Sequence, residues 1–232
     1  LNFLSHYYFD KNSTKPERVL GLILPDLIHQ HNKTWVFKPE KNLALYSGKT
    51  LDLLEGWKRH KAIDKYFHNS PYFKSQTQII KEKLHTAFLK SPVWAFFLAH
   101  ITLELTLDSL LITENLIDVE AFYSKLDQVD RDSLVEFLNI NEVSEPESFL
   151  DFYTEFLNSG YLFKYRNPAE LTYPLGRICF KIWKEKFTEE EVFSLRETIL
   201  DFCKENRSKF LEIYEYIEIQ LKNDLNCMVK SA

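Results

Sequence analysis

Residues 91–113 read SPVWAFFLAHITLELTLDSLLIT, and this stretch decides the fold. The run is apolar except for small hydroxyl residues and three ionisable ones, His100, Glu104 and Asp108, set four residues apart. On an α-helix, residues four apart sit about 40° apart around the axis, so the three form one polar stripe on an apolar rod. Ser91-Pro92 reads as the start signal, a capping residue followed by proline at the first helical position. A rod apolar on most sides belongs in a domain core or a membrane. The aligned stripe favours a buried helix and no membrane span. Three buried ionisable groups are costly unless they pair or hold a metal.

The same spacing recurs upstream. A long helix is expected over residues 50–68, where His60, Asp64 and His68 again step by four. An amphipathic helix is expected over 71–90. Residues 32–48 look irregular, anchored by Trp35, Phe37 and Pro39. Residues 16–31 read as a helix broken or kinked at Pro25-Asp26, because proline lacks a backbone donor. Residues 2–9, NFLSHYYF, are aromatic and apolar around His6. Downstream, helical periodicity covers 117–139 and 147–158. Ser144 with Glu147 and Thr188 with Glu191 resemble capping boxes. An aromatic connector at 160–168 precedes helices over 169–186, from Thr188 to about Asn206, and over 207–223, with a frayed tail to Ala232. The expectation is an all-α, single-domain multi-helix bundle over 1–232, with the site in 1–113 and helical completion in 114–232.

Composition agrees with helices: five glycines in 232 residues leave little material for a turn-rich β fold. The net charge of -5 argues against a nucleic-acid partner bound by bulk electrostatics. Cys179, Cys203 and Cys227 form no CxxC pair, which points to a reducing compartment. With no signal-peptide pattern in the first residues, a cytoplasmic location is expected. The composition leaves the oligomeric state open.

Seven ionisable residues lie within apolar helical surroundings: His6, Asp26, His60, Asp64, His100, Glu104 and Asp108. Imidazole and carboxylate suit zinc, manganese or iron, and some subset of the seven would hold one or two ions. A carboxylate can instead accept the second N–H of a ligating histidine. A lone buried His-carboxylate pair is more often a satisfied core hydrogen bond. The recurrence of the pair, with His6 and Asp26, favours a divalent metal. A carboxylate left out of the ligand set, Asp64 or Glu104, would act as the catalytic base. Lys58, Arg59, Lys61 and Arg166 would offset phosphate charge or form a solvated face. His29, His31 and His85 read as surface residues. His68 stays open: it lies one turn past Asp64, but Asn69 and Ser70 suggest a helix end, where a cationic His68 would favour the helix dipole. Trp57, Trp94 and Trp183 read as core aromatics.

The segments Asn2-Phe3-Leu4-Ser5-His6, Gly21-Leu22-Ile23-Leu24-Pro25-Asp26, His60-Lys61-Ala62-Ile63-Asp64, Thr102 to Asp108 and Leu162 to Arg166 appear in an order that resembles the acyl carrier protein phosphodiesterase family. The resemblance implies an HD-phosphohydrolase-like helical fold and a manganese-dependent phosphodiesterase. Its substrate would be holo acyl carrier protein, from which 4′-phosphopantetheine is removed, and this acidic partner suits the basic residues around His60. Three positions depart from the family pattern: Lys58 and Ser109 stand where histidines are frequent, and Glu104 where aspartate is usual. His100 would then replace a missing ligand. The residues also resemble zinc-dependent phospholipase C, without its N-terminal tryptophan ligand or secretion signal. A non-catalytic helical binding protein, with the stripe as a hydrogen-bond network, is the reading from another class.

Overall fold

A computed structural model of the chain describes residues 1–230, with side chains described through residue 224. Among the described residues the regular structure is all helical. Helices α1 (Phe3–Tyr8), α2 (Pro16–Gly21) and α3 (Leu24–His31) lead through a 3-10 segment to α4 (Gly48–Asn69), α5 (Pro71–Leu84) and α6 (Ala95–Thr113). Then come α7 (Val119–Asp127), α8 (Arg131–Ile140) and α9 (Pro146–Ser159). Two further 3-10 segments lead to α10 (Thr172–Trp183), α11 (Glu189–Asn206) and α12 (Leu211–Lys230).

Side-chain caps set several helix starts. Ser70 accepts the Phe73 N–H ahead of α5, and Asp118 and Asp130 cap α7 and α8. The Thr188–Glu191 capping box forms, with Thr188 N donating to Glu191 at 2.7 Å. Gly160 ends α9 with φ 53°, a conformation glycine adopts without strain.

Several boundaries differ from expectation: α5 ends at Leu84 where a helix to residue 90 was expected, and the stretch 117–139 is broken between α7 and α8. Ser91-Pro92 does not start α6, which begins at Ala95 after an extended Trp94. Trp94 itself is exposed, its ring edge against Trp183. The break in residues 16–31 falls at Leu22-Ile23, and Pro25 sits in the first turn of α3, where its missing N–H is no loss. Pro146 opens α9, so Glu145 takes the cap position and the Ser144–Glu147 box does not form. α12 runs on to Lys230 where fraying was expected from residue 224; Ser231, Ala232 and the Cys227 side chain lie outside the described residues.

The chain clusters into two compact units drawn from separate stretches. One comprises residues 6–64 and 117–161. Its core joins Leu20, Leu22, Leu53, Phe122 and Phe149, with Trp57 stacked on Phe37 and tilted against Phe137. The other comprises residues 1–5, 65–116 and 162–232. Here α5 packs along α6, and α11 packs against both. In α6 every residue from 101 to 112 except Glu104 is buried, each large apolar side chain contributing about 1.5–3 kcal/mol relative to exposure. α6 is long and apolar enough to cross a membrane, and 67% of its most apolar window is buried inside the protein.

Candidate metal centres

The first centre lies within the unit of residues 6–64 and 117–161 and begins with two glycines. A Cβ on Gly56 would meet the Arg18 carbonyl oxygen at 2.2 Å and Gly21 Cα at 2.7 Å, so α2 and α4 cross with their backbones in contact. One turn beyond Gly56, His60 is brought under the Leu22 carbonyl at the break between α2 and α3. Its Nδ1 donates to that oxygen at 2.7 Å, which fixes the tautomer and turns Nε2 inward. His6, from α1, stacks on His60 with ring centroids 3.9 Å apart. Asp64, one turn further along α4, offers one oxygen to each ring: Oδ1 is 3.2 Å from His6 Nε2 and Oδ2 is 3.3 Å from His60 Nε2. Asp26 Oδ1, in the first turn of α3, is 3.9 Å from His60 Nε2. Ligand atoms of His6, Asp26 and His60 all lie within 4.8 Å of one another.

The electrostatics set these groups apart. Burial, followed by the charge of His60, pushes His6 down to about 3, so the ring is neutral. Neither of its nitrogens meets hydrogen-bond geometry with any partner, the Asp64 approach included. Burial opposes protonation of His60 too, but the hydrogen bond to Asp64 and the charges of Asp26 and Asp64 prevail and raise it. Burial would raise Asp64, yet the positive charge and hydrogen bonding around it, those of His60 included, hold it well below the ordinary carboxylate range. A buried neutral imidazole without a hydrogen bond, facing two carboxylates and a second imidazole, is a donor set that fits a divalent cation.

The second group lies within the other unit. His68 Nε2 is 3.1 Å from His100 Nε2, which is 2.9 Å from Glu104 Oε1; His68 Nε2 is 3.6 Å from the same oxygen. Glu104 Oε1 also lies 2.8 Å from the Leu1 nitrogen. Phe73 packs edge-on against both imidazoles at 5.1 and 5.0 Å.

Asp108 joins neither group. Its carboxylate accepts four hydrogen bonds at the start of α1: from Asn2 Nδ2 at 2.8 Å, Leu4 N at 3.1 Å, Ser5 N at 2.7 Å and Ser5 Oγ at 2.6 Å. The Tyr214 hydroxyl in turn supports Ser5 Oγ at 2.8 Å. Burial, opposed by these donors, pushes Asp108 up to about 7.

Of the seven residues expected to ligate metal, His6, Asp26, His60 and Asp64 therefore come together in one unit. His100 and Glu104 come together with His68 in the other, and Asp108 caps a helix. The two carboxylates expected to act as base, Asp64 and Glu104, fall in different units. The basic residues diverge as well. Lys58 and Lys61 are exposed on α4, while Arg59 reaches toward Asp10 at 3.9 Å. Arg166 belongs to the second unit, its guanidinium over the Phe163 ring. His31, expected at the surface, is half-buried among Trp35, Phe149 and Phe152. Sequence reasoning missed the Leu22 carbonyl and the Gly21–Gly56 contact. An isolated glycine in the middle of a long helix was the available signal. Comparison with protein-family models, curated proteins and solved structures found no match.

Proposed function

We propose that the chain is a metal-dependent phosphodiester hydrolase whose ion is held by His6, Asp26 and His60. The observation that carries this reading is His6, a fully buried neutral imidazole with no hydrogen bond to either nitrogen. Buried polar atoms are nearly always satisfied, and a cation is the partner that all the surrounding side chains share. A bound divalent ion would lower the pKa of a coordinated water and polarise a phosphoryl oxygen.

The protein's residues supply the rest. Leu22 holds the His60 ring with Nε2 inward, and Asp26 contributes the second negative charge. Asp64, 28% exposed and turned toward both rings, is the group placed to accept a proton from water at Oδ2. Lys61, one position past His60 and exposed, supplies positive charge at the rim for a phosphate. The resemblance to the acyl carrier protein phosphodiesterase family implies manganese and, as substrate, the 4′-phosphopantetheine of holo acyl carrier protein. Exposed Lys61 suits such an acidic partner. A reducing, cytoplasmic setting is part of the same proposal.

The test is hydrolysis of holo acyl carrier protein, and of a simple aryl phosphodiester, by manganese-loaded protein beside its His60→Ala and Asp64→Ala variants. Activity lost in both variants while each still melts cooperatively supports the assignment. Equal activity in all three proteins refutes it, and no hydrolysis of either ester moves the assignment to a non-catalytic metal-binding protein.

A further inference from the structure

We propose that His68, His100 and Glu104 form a second, separate metal site, selective for a zinc- or ferrous-class ion, within the unit of residues 1–5, 65–116 and 162–232. The argument starts from counting protons. Each Nε2 offers either one N–H or one lone pair. If His100 Nε2 donates to Glu104 at 2.9 Å, it has no lone pair for His68 Nε2 at 3.1 Å. If it accepts from His68, its lone pair faces the Glu104 oxygen. If both rings point an N–H toward Glu104, the two N–H groups oppose each other across 3.1 Å. His100 Nε2 carries one N–H or one lone pair, so the two short separations cannot each have a straight hydrogen bond of their own and at best share one forked N–H, whereas one cation among the three atoms would serve all of them at once.

The site is also built. His100 and Glu104 are one turn apart on α6, so both project over the same turn. His68 comes from the last turn of α4, and Phe67 and Phe73 set their ring edges against it. Two imidazoles with one carboxylate select zinc or ferrous iron over magnesium or calcium, which prefer oxygen ligands. His68 and His100 keep 34% and 25% of their side chains exposed, and three protein ligands leave coordination positions open on that side. This site shares no residue with the centre of His6, Asp26 and His60, so each can fail without the other.

The experiment counts zinc in the full-length protein after chelator stripping, reloading and desalting, by elemental mass spectrometry. The unaltered protein is expected to hold two equivalents. A His68→Gln, His100→Gln double variant should hold one, and His60→Gln should hold the other one. Melting curves of the metal-free proteins, expected to coincide within a few degrees, separate ligand loss from misfolding. A misfolded double variant is replaced by Glu104→Gln, which keeps the side-chain shape. Zinc content equal to the unaltered protein in the folded double variant, or in folded Glu104→Gln where that replaces it, overturns the second site and leaves the first standing. Loss of one equivalent there with no loss in His60→Gln supports the second site and refutes the first.

Discussion

Replacing Gly56 with alanine tests how the first centre is assembled. Alanine is favoured over glycine inside a helix by roughly 0.8–1 kcal/mol, so local propensity alone predicts a stabler α4. The crossing predicts the reverse. The new Cβ would lie 2.2 Å from the Arg18 carbonyl and 2.7 Å from Gly21 Cα, where ordinary contact begins at 3.4 Å. Both obstacles are backbone, so α2 and α4 must separate by about 1 Å, and overpacking of this kind costs about 1–3 kcal/mol. The net loss is then up to about 2 kcal/mol. For a chain of this size that lowers the melting temperature by up to about 8 °C. The same separation stretches the His60 Nδ1 to Leu22 bond, now 2.7 Å, beyond hydrogen-bonding range. Losing such an orienting contact weakens metal binding about 10–100-fold. Scanning calorimetry and a zinc titration read the two effects. Gly176→Ala is the control, since its Cβ meets only the Phe187 ring at 3.6 Å and should be neutral or stabilising. If Gly56→Ala melts as high as the unaltered protein and binds metal as tightly, the crossing does not position His60.

Asp108→Ala should lose at least about 3 kcal/mol in urea unfolding, since four donors lose their acceptor at roughly 1–3 kcal/mol for each left buried. Its metal content should not change; metal loss at unchanged stability would make Asp108 a ligand. The sign of its pH dependence is unusual for a carboxylate. Its folded pKa of about 7 lies above the ordinary 3.8, so between those values the folded state binds more protons and stability falls as pH rises. The slope is about 1.4 kcal/mol per pH unit, on the order of 4 kcal/mol across the window, and urea melts of Asp108→Asn from pH 4 to 8 should lack it. Added zinc or manganese at about 100 times its dissociation constant should stabilise the protein by about 2.7 kcal/mol, raising the melting temperature by roughly 5–11 °C, with chelator reversing the rise. Thr188→Ala should cost about 1 kcal/mol by removing the capping box of α11, and an unshifted urea midpoint would assign that helix end to packing alone.

The helical class was legible because α6 is too apolar for anything but a core or a membrane, and because helical spacing recurs along the chain. Its start was not legible. Ser91-Pro92 carries a strong local signal, but burying Val93 and extending Trp94 delay the helix to Ala95. Four of the expected ligands were legible as a group since His60 and Asp64 share a face and His6 and Asp26 stand in apolar segments. The stripe of His100, Glu104 and Asp108 misled, because side-chain direction and axial distance are separate quantities. Residues eight apart share a face yet lie about 12 Å apart along the axis, too far to reach one ion. The basic residues misled for a related reason. Lys58 precedes His60 by two positions, which turns it about 160° away around α4.

Asp108 and His6 show that burial by itself does not call for a metal. Both are wholly buried in apolar surroundings, and the sequence presents them alike. Asp108 meets four donors, two of them the N–H groups that every helix start leaves without intrahelical partners, so its demand is met by α1 itself. His6 meets a stacked imidazole and two carboxylates, none of them a properly aligned partner, so its demand is unmet. A cation added near Asp108 would displace donors already bound to it. A cation added near His6 would displace the proton of His60 and no hydrogen bond of His6. The unmet nitrogen, rather than the buried charge, therefore marks the centre, and the zinc content of Asp108→Ala beside that of His60→Gln is the direct measure of that difference.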